Sequence, residues 1–430
     1  MNISIVSGWL PIVGQVAAVV AVVLAVDWRQ RRWRRQLGWG LPVSAAVTLV
    51  VALVLTFGSL VPSDFPWVAY LWGFGTVLSI WIIATGWSRS GWRRRVVMVA
   101  AVVLTAAASL GTINAGSDSF PTVDRLLTGD AENVVPTAQL QAIRDQVART
   151  GQLPDQGVVF TTTIPATVSH FDTNPAYVYL PPAWFAKVTP SLPTLVLLPG
   201  EPGSASDWSS EGDADTTADA FASSHHGVAP IIVMPDPNGL KTVDSECVNS
   251  QFGNAETYLV DDVPAFARQR FNASRAADSL AIGGLSAGGT CSTMLALRHP
   301  TVYPTFASFS GFASPQYQET DQSQTIDTLF GGSQAAFDAH SPAELLKSGS
   351  YDGLAGWFEV GDQDTEPLEA AHQLQPAAAS AGISTCILVR SGGHDFDLWS
   401  QALRDSFPWL AWHLGLTGEP KTEPATCTSP

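Results

Sequence analysis

Residues Ala281–Cys291 read Ala-Ile-Gly-Gly-Leu-Ser-Ala-Gly-Gly-Thr-Cys, and within them Gly284-Leu285-Ser286-Ala287-Gly288 matches G-x-S-x-G. A serine in this pattern is a candidate nucleophile when an apolar strand precedes it and a helix follows, because the tight turn then lifts its hydroxyl clear of a sheet. The flanking glycines relieve crowding in such a turn. The bare pattern also arises in structural Gly-Ser turns, so its weight depends on partners elsewhere in the chain. A serine hydroxyl near neutral pH needs a base to take its proton and a third group to orient that base. His394, in Ser391-Gly392-Gly393-His394-Asp395-Phe396, follows an apolar run and precedes a helical one, which makes it the expected base. His299 falls at the end of the helix that Ser286 opens, and His340 and His372 lack a strand-end position. For the acid, the run Trp357–Val360 leads into Gly361-Asp362-Gln363-Asp364. Asp364 is preferred, since a few residues beyond the strand allow the chain to curl toward His394, with Asp362 as the alternative. Glu359 is expected to lie within the strand.

The same chemistry requires donors for an oxyanion. Ala287, at the start of the helix, supplies one backbone N–H. The turn Leu197-Leu198-Pro199-Gly200-Glu201-Pro202-Gly203 is the candidate for the other. Its prolines have no N–H, and among Gly200, Glu201 and Gly203 the Glu201 N–H is favoured. Trp208, a little further on, either lines an acyl site or packs beneath it.

These residues need a scaffold of alternating elements. Thr194–Leu198, Pro230–Met234, Ser279–Gly283, Thr305–Ser310, Trp357–Val360 and Ser384–Val389 are short and apolar, as strands buried on both faces should be. Ala255–Arg270, Ser286–Arg298, Pro367–Ala381 and Phe396–Leu414 are helical between or after them. Two extended runs, Val158–Val168 and Tyr177–Leu180, come first. The order predicts an α/β domain over residues 157–416, a mostly parallel sheet with helices on both faces, followed by a tail at 417–430. Residues 312–352 break the rhythm with polar, irregular sequence and are a candidate cap over a site. Residues 116–156, with one expected helix at Thr137–Arg149, read as a tether.

Residues 1–115 are a different material. They carry nine arginines, no lysine and two acids, for a charge of +7, whereas the remainder carries −23 of the net −16. Four uncharged apolar stretches, Leu10–Val26, Leu41–Val61, Trp67–Trp87 and Val96–Ala115, approach the ~20 residues a helix needs to cross a bilayer. Nine of the 15 tryptophans fall here, mostly flanking those stretches, the interfacial depth that indole prefers. Arg29–Arg35 and Arg89–Arg95 lie in alternate connections, while 61–66 has no basic residue. The positive-inside rule then places both ends of this region, and everything after it, outside the cytoplasm at the plasma membrane.

The acidic balance of the outer part excludes nucleic acid as a partner. Four cysteines, Cys247, Cys291, Cys386 and Cys427, all fall in that part, as disulfides of an oxidising compartment would; the expected pairs are Cys247–Cys291 and Cys386–Cys427. His225-His226 is an isolated pair, and no spacing suggests a metal site or a cofactor.

Taken together, PAYVYLPPAWF, LVLLPGEPGSASDW, NAETYLVDDVP, GGLSAGGTC, EVGDQD and GGHDFDLW resemble the esterase D/antigen 85 group of α/β-hydrolases, in the multi-span, membrane-anchored version of actinobacterial esterases, over about Gly157–Leu416. The resemblance implies a cofactor-free serine hydrolase or acyltransferase working through an acyl-enzyme, with Ser286, Asp364 and His394 as triad and Glu201 and Ala287 as oxyanion donors. It departs from the mycolyltransferases of that group, which have Asp-Gly-Leu-Arg at the oxyanion loop, where Pro199 and Pro202 stand here. The expected substrate is an ester of a lipid or envelope glycolipid. Mycolyl-type acyl transfer and hydrolysis of an aminoacylated phospholipid, whose cationic head group an acidic domain would attract, are the alternatives. A catalytically idle receptor or scaffold, and a transporter with an accessory domain, are the competing readings outside this chemistry. Uncharged spans speak against transport.

Overall fold

The computed structural model describes residues 9–28, 31–57, 66–117, 134–240, 243–319 and 321–417, and the chain divides into two compact units, residues 1–129 and 130–430. The first unit contains four apolar helices: α1 (Trp9–Ala25), α2 (Arg31–Phe57), α3 (Trp67–Gly86) and α4 (Trp92–Ser117). Three of them, over Leu37–Thr56, Trp67–Arg89 and Trp92–Ile113, are long and apolar enough to cross a membrane, and α1 is shorter. The arginines expected between the first two stretches continue into the first turns of α2, and those expected between the third and fourth fall in a 3₁₀ turn (Trp87–Arg89) and the first turn of α4. Asp27, just past α1, accepts from Arg94 at 2.6 Å, so one charge of each sign is neutralised at the arginine-rich end.

In the second unit, α5 (Gln139–Thr150) leads to β1 (Val158–Thr162) and β2 (Ala176–Leu180). The second extended run is close to expectation, but the first stops at Thr162. The unit also begins earlier than residue 157. Leu140 and Val147, on one face of α5, join the main core, and Val134 bridges Val159, so much of the expected tether is part of this unit. There follow β3 (Thr194–Leu198), α6 (Ala214–Ser224), β4 (Ile231–Met234), α7 (Val263–Phe271), β5 (Leu280–Leu285), α8 (Ala287–Arg298) and β6 (Thr305–Phe309). The last elements are β7 (Ala355–Gly361), α9 (Thr365–Ser380), β8 (Ser384–Arg390) and α10 (Phe396–His413). Residues 312–352, whose sequence breaks the strand–helix rhythm, contain three short helices, Gln322–Phe330, Gln334–Asp338 and Pro342–Ser348, the first two capped by Asp321 and Ser333 side chains.

The eight strands form one sheet in the order β1-β2-β4-β3-β5-β6-β7-β8. β2 pairs antiparallel with both β1 and β4, and every other pairing is parallel. Strands of a parallel sheet under two helical layers must be apolar on both faces, and β3 shows how: Val196 and Leu198 enter one core cluster, Leu195 and Leu197 the other. Because β3, β5, β6, β7 and β8 run the same way, their C-terminal ends share an edge. The turns beginning at Pro199, Ser286, Ser310, Asp362 and Ser391 leave from it, and ligands of open α/β sheets bind at that edge.

Cys247, in the long connection after β4, is bonded to Cys291 of α8, one of the two expected pairs. Cys386 is also disulfide-bonded, and its expected partner Cys427 lies outside the described residues. The Cys247–Cys291 bond spans 44 residues, for which chain-entropy arguments give about 4 kcal/mol of stabilisation. Replacing both cysteines by alanine is therefore expected to lower Tm by several degrees in calorimetry; an unchanged Tm would mean that the connection is held by its packing alone.

Candidate active site

Ser286 sits between β5 and α8 with φ 54° and ψ −123°. A non-glycine residue at positive φ is strained, of order 1–3 kcal/mol, and the surroundings impose it here. The Ser286 N–H donates to the Phe309 carbonyl at 2.8 Å, tying the turn to β6. The turn is tight enough that a Cβ on Gly284 would collide with the Gly288 carbonyl, and one on Gly288 with the Pro199 carbonyl. G-x-S-x-G is thus a packing requirement of this turn.

His394 lies 108 residues further along the chain, and its Nε2 is 2.8 Å from Ser286 Oγ. Its Nδ1 is 2.9 Å from Asp364 Oδ2. With Nδ1 protonated, the imidazole donates to Asp364 and accepts from the Ser286 hydroxyl. Ser286 and Asp364 are each 6% exposed, whereas the His394 side chain is 35% exposed, so the base is open to an incoming molecule while its partners are shielded. Asp364 stands at the N-terminus of α9, where the helix dipole favours a carboxylate. Asp362, the alternative, has other partners: its Oδ1 accepts from Gly392 N at 3.1 Å, and its own N–H donates to Arg390 O at 2.7 Å. It braces the loop that carries His394. Glu359 lies within β7, as expected; burial pushes its carboxyl up to about 8, and Trp357 Nε1 donates to it at 2.9 Å.

The turn after β3 meets Ser286 directly, since a Cβ on Gly200 would lie 3.1 Å from Ser286 Cβ. Its shape is set by Asp207, which accepts from Ser204 N at 2.9 Å and Ser204 Oγ at 2.8 Å. Glu201 follows Gly200 in this turn, and Ala287 is the first residue of α8, whose N–H has no acceptor within the helix. Of the two expectations for Trp208, the structure has the second: the indole is fully buried, donates from Nε1 to Leu198 O at 2.7 Å and packs edge-on against Phe309. It supports the turn from below.

Two of the histidines set aside as the base, His299 and His340, also find partners. His299 Nε2 and His340 Nε2 lie 2.7 and 3.2 Å from the two oxygens of Glu256, which also accepts from Arg298, so this group joins the end of α8 to the 312–352 segment. Two features were not read from the sequence. One is a group of carboxyls beside the Glu201 turn. Burial pushes the Glu201 carboxyl up to about 7, helped by Asp244 and Asp236 and opposed by the Asn238 amide, which donates to it at 2.5 Å. Buried Glu246 is likewise raised by burial and by Asp244. The acids of Pro235–Glu246 are far apart in type and spacing from any ligand motif, so only the folded connection brings them to Glu201. The other is the aromatic contact of His394, with Trp399 at 4.9 Å and Phe312 at 6.1 Å between ring centroids. Among the described residues no group of three or more His, Cys, Asp or Glu could hold a metal ion.

Residues 172–410, more than half of the chain, match the family model described as "Putative esterase". An uncharacterised protein of Corynebacterium glutamicum is 33% identical over 95% of this chain and 96% of its own length. Among solved structures, a ferulic acid esterase is similar with a TM-score of 0.52 and 22% identity, over 60% of this chain and 98% of that one. An S-formylglutathione hydrolase from Agrobacterium tumefaciens has a TM-score of 0.51 and 20% identity, over 61% and 98%. Identities this low establish the fold, which is the α/β-hydrolase sheet described above. With a family match that takes in both the serine turn and the His394 loop, the chain belongs to the esterase family of α/β-hydrolases.

Proposed function

We propose that this protein is a membrane-anchored serine esterase or acyltransferase, with its hydrolase unit outside the plasma membrane and lipid or envelope-glycolipid esters as substrates. The observation that carries the reading is the unbroken hydrogen-bond chain from Ser286 Oγ through His394 to Asp364. In the reaction, His394 Nε2 takes the Ser286 proton as Oγ bonds to the ester carbonyl carbon, and the carbonyl electron pair moves onto oxygen. The backbone N–H groups of Glu201 and Ala287 hold that oxyanion. Collapse breaks the bond to the alcohol, which leaves with the proton from Nε2, and Asp364 keeps the imidazole in the required tautomer throughout. The acyl-enzyme then reacts with water or with an acceptor alcohol, whose proton follows the same route. The anchoring rests on the apolar helices and the outward placement on the arginine pattern. The test is a comparison of membrane lipid extracts from cells carrying wild type or Ser286→Ala: an ester lipid that accumulates only in the variant is expected, and identical extracts would remove the lipid-ester reading.

The carboxyl group around Glu201 favours a second, narrower reading, an ester whose acyl or alcohol part carries an amine, such as an aminoacylated phospholipid. Since burial and its acidic neighbours hold Glu201 near 7, its charge grows as pH rises from 6 to 8. The ratio of kcat/KM for an ester carrying a quaternary ammonium, whose charge does not titrate, over its uncharged isostere should therefore rise several-fold across that range. A flat ratio would exclude a role for Glu201 in recognising the amine.

A further inference from the structure

His394 follows two glycines, Gly392 and Gly393, and two hydrogen bonds hold its ring. The two bonds, at opposite ring nitrogens, fix the ring at two points and leave it a rotation about the line that joins Ser286 to Asp364. What opposes the tilt is Trp399. Its indole is 6% exposed, its centroid lies 4.9 Å from that of His394, and the two planes meet at 88°. Trp399 is itself held. Phe396 packs edge-on against it at 4.9 Å, Trp399 N–H donates to Asp395 O at 3.1 Å, and the Asp395 carboxylate caps α10 by accepting from Leu398 N at 2.9 Å. The backbone that carries His394 therefore also fixes the ring that braces it. The Trp399 Nε1–H is buried and has no acceptor among the described residues. A buried indole N–H left unpaired is unfavourable, so the ring is not there for a hydrogen bond. What an indole offers beyond a smaller side chain is its rigid bulk, which opposes tilting of the ring packed against it.

We propose that Trp399 is a positioning residue for this chemistry, which holds the His394 imidazole in line between Ser286 and Asp364. The proposal rests on the serine-esterase reading above and goes beyond it, since neither the triad nor the oxyanion donors require an aromatic residue at this place. Among the described contacts of His394, Asp364 is the one charged group; Ser286, Phe312 and Trp399 are its neutral neighbours.

The experiment uses the full-length protein in lipid nanodiscs, with p-nitrophenyl butyrate as substrate and a fluorophosphonate as active-site label. Trp399→Leu is expected to lower kcat about tenfold or more with KM changed less than twofold. It should also move the acid limb of the kcat/KM profile to lower pH by about half a unit, because a tilted ring loses the aligned Asp364 bond and the imidazolium is disfavoured. Trp399→Phe keeps a ring without the orphaned N–H, and should retain kcat within about threefold and a Tm at least equal to that of wild type. A Trp399→Leu enzyme with wild-type kcat and an unmoved acid limb would overturn the proposal, as would a loss that follows Tm alone. If Trp399→Leu does not fold, Trp399→Phe decides: an acid limb lowered by a few tenths of a unit supports the proposal, and an unshifted one overturns it. Failure of wild type itself to take the label would instead remove the serine-esterase reading, so the two failures are told apart.

Discussion

Replacing Ser286 with alanine is expected to lower kcat on a chromogenic ester by about 10⁴–10⁶-fold and to abolish labelling by a fluorophosphonate. The hydroxyl is the one group in the site that can bond to the substrate carbon, and His394, already 2.8 Å away, has no other nucleophile to deprotonate at that position. The residual rate reflects whatever the oxyanion donors and substrate binding provide without a covalent step. Stability should not fall with activity, since Ser286 Oγ has His394 as its side-chain partner and alanine retains the Cβ that the turn already accommodates. Steady-state kinetics together with a Tm for the variant check both halves. An alanine variant retaining a hundredth of wild-type kcat would show that another nucleophile or an activated water performs the reaction.

The second large effect separates two aspartates two residues apart. Asp364→Asn is expected to lower kcat by about 10³–10⁴-fold. Its amide nitrogen, if it faces His394, confronts the Nδ1–H as donor against donor, and the imidazole then takes the tautomer that cannot accept from Ser286. Asp362→Asn should cost less than tenfold. The carboxylate there accepts from the Gly392 N–H, and an asparagine carbonyl can accept the same bond. Parallel kcat measurements on the two variants read this contrast directly, and the reverse order would reassign the acid.

Much of this arrangement was legible because the chemistry leaves marks at strand ends. Ser286, His394 and Asp364 each follow an apolar run of strand length, and a parallel sheet puts such positions on one edge whatever lies between them. The choice of Asp364 over Asp362 rested on reach alone, and the structure adds the reason that Asp362 is occupied elsewhere. The strands β3 to β7 were readable for the same reason as the site: burial on both faces makes them largely apolar, with Glu359 in β7 their one charged residue. What escaped reading was structure without periodic apolar marking. α6 is rich in alanine, serine, threonine and aspartate, and buries Ala214, Ala218 and Ala222 with little hydrophobic contrast. The first extended run ends at Thr162 because Ile164 and Phe171, though buried, belong to a connection whose backbone pairs with no strand. The helices of 312–352 are short, and their caps, not their apolar pattern, define them. Trp208 and Trp399 look alike in sequence, each a tryptophan within a few residues of a site motif. Only packing shows that one supports the turn after β3 while the other meets the imidazole.

Treating the purified full-length protein with a fluorophosphonate, and locating the adduct by mass spectrometry of its peptides, tests the central claim most directly. One adduct per chain, carried by Ser286, is expected, and it should disappear in the His394→Ala protein, where nothing remains to take the hydroxyl proton. An active preparation that hydrolyses esters yet carries no adduct on Ser286, or carries it on another residue, would contradict it.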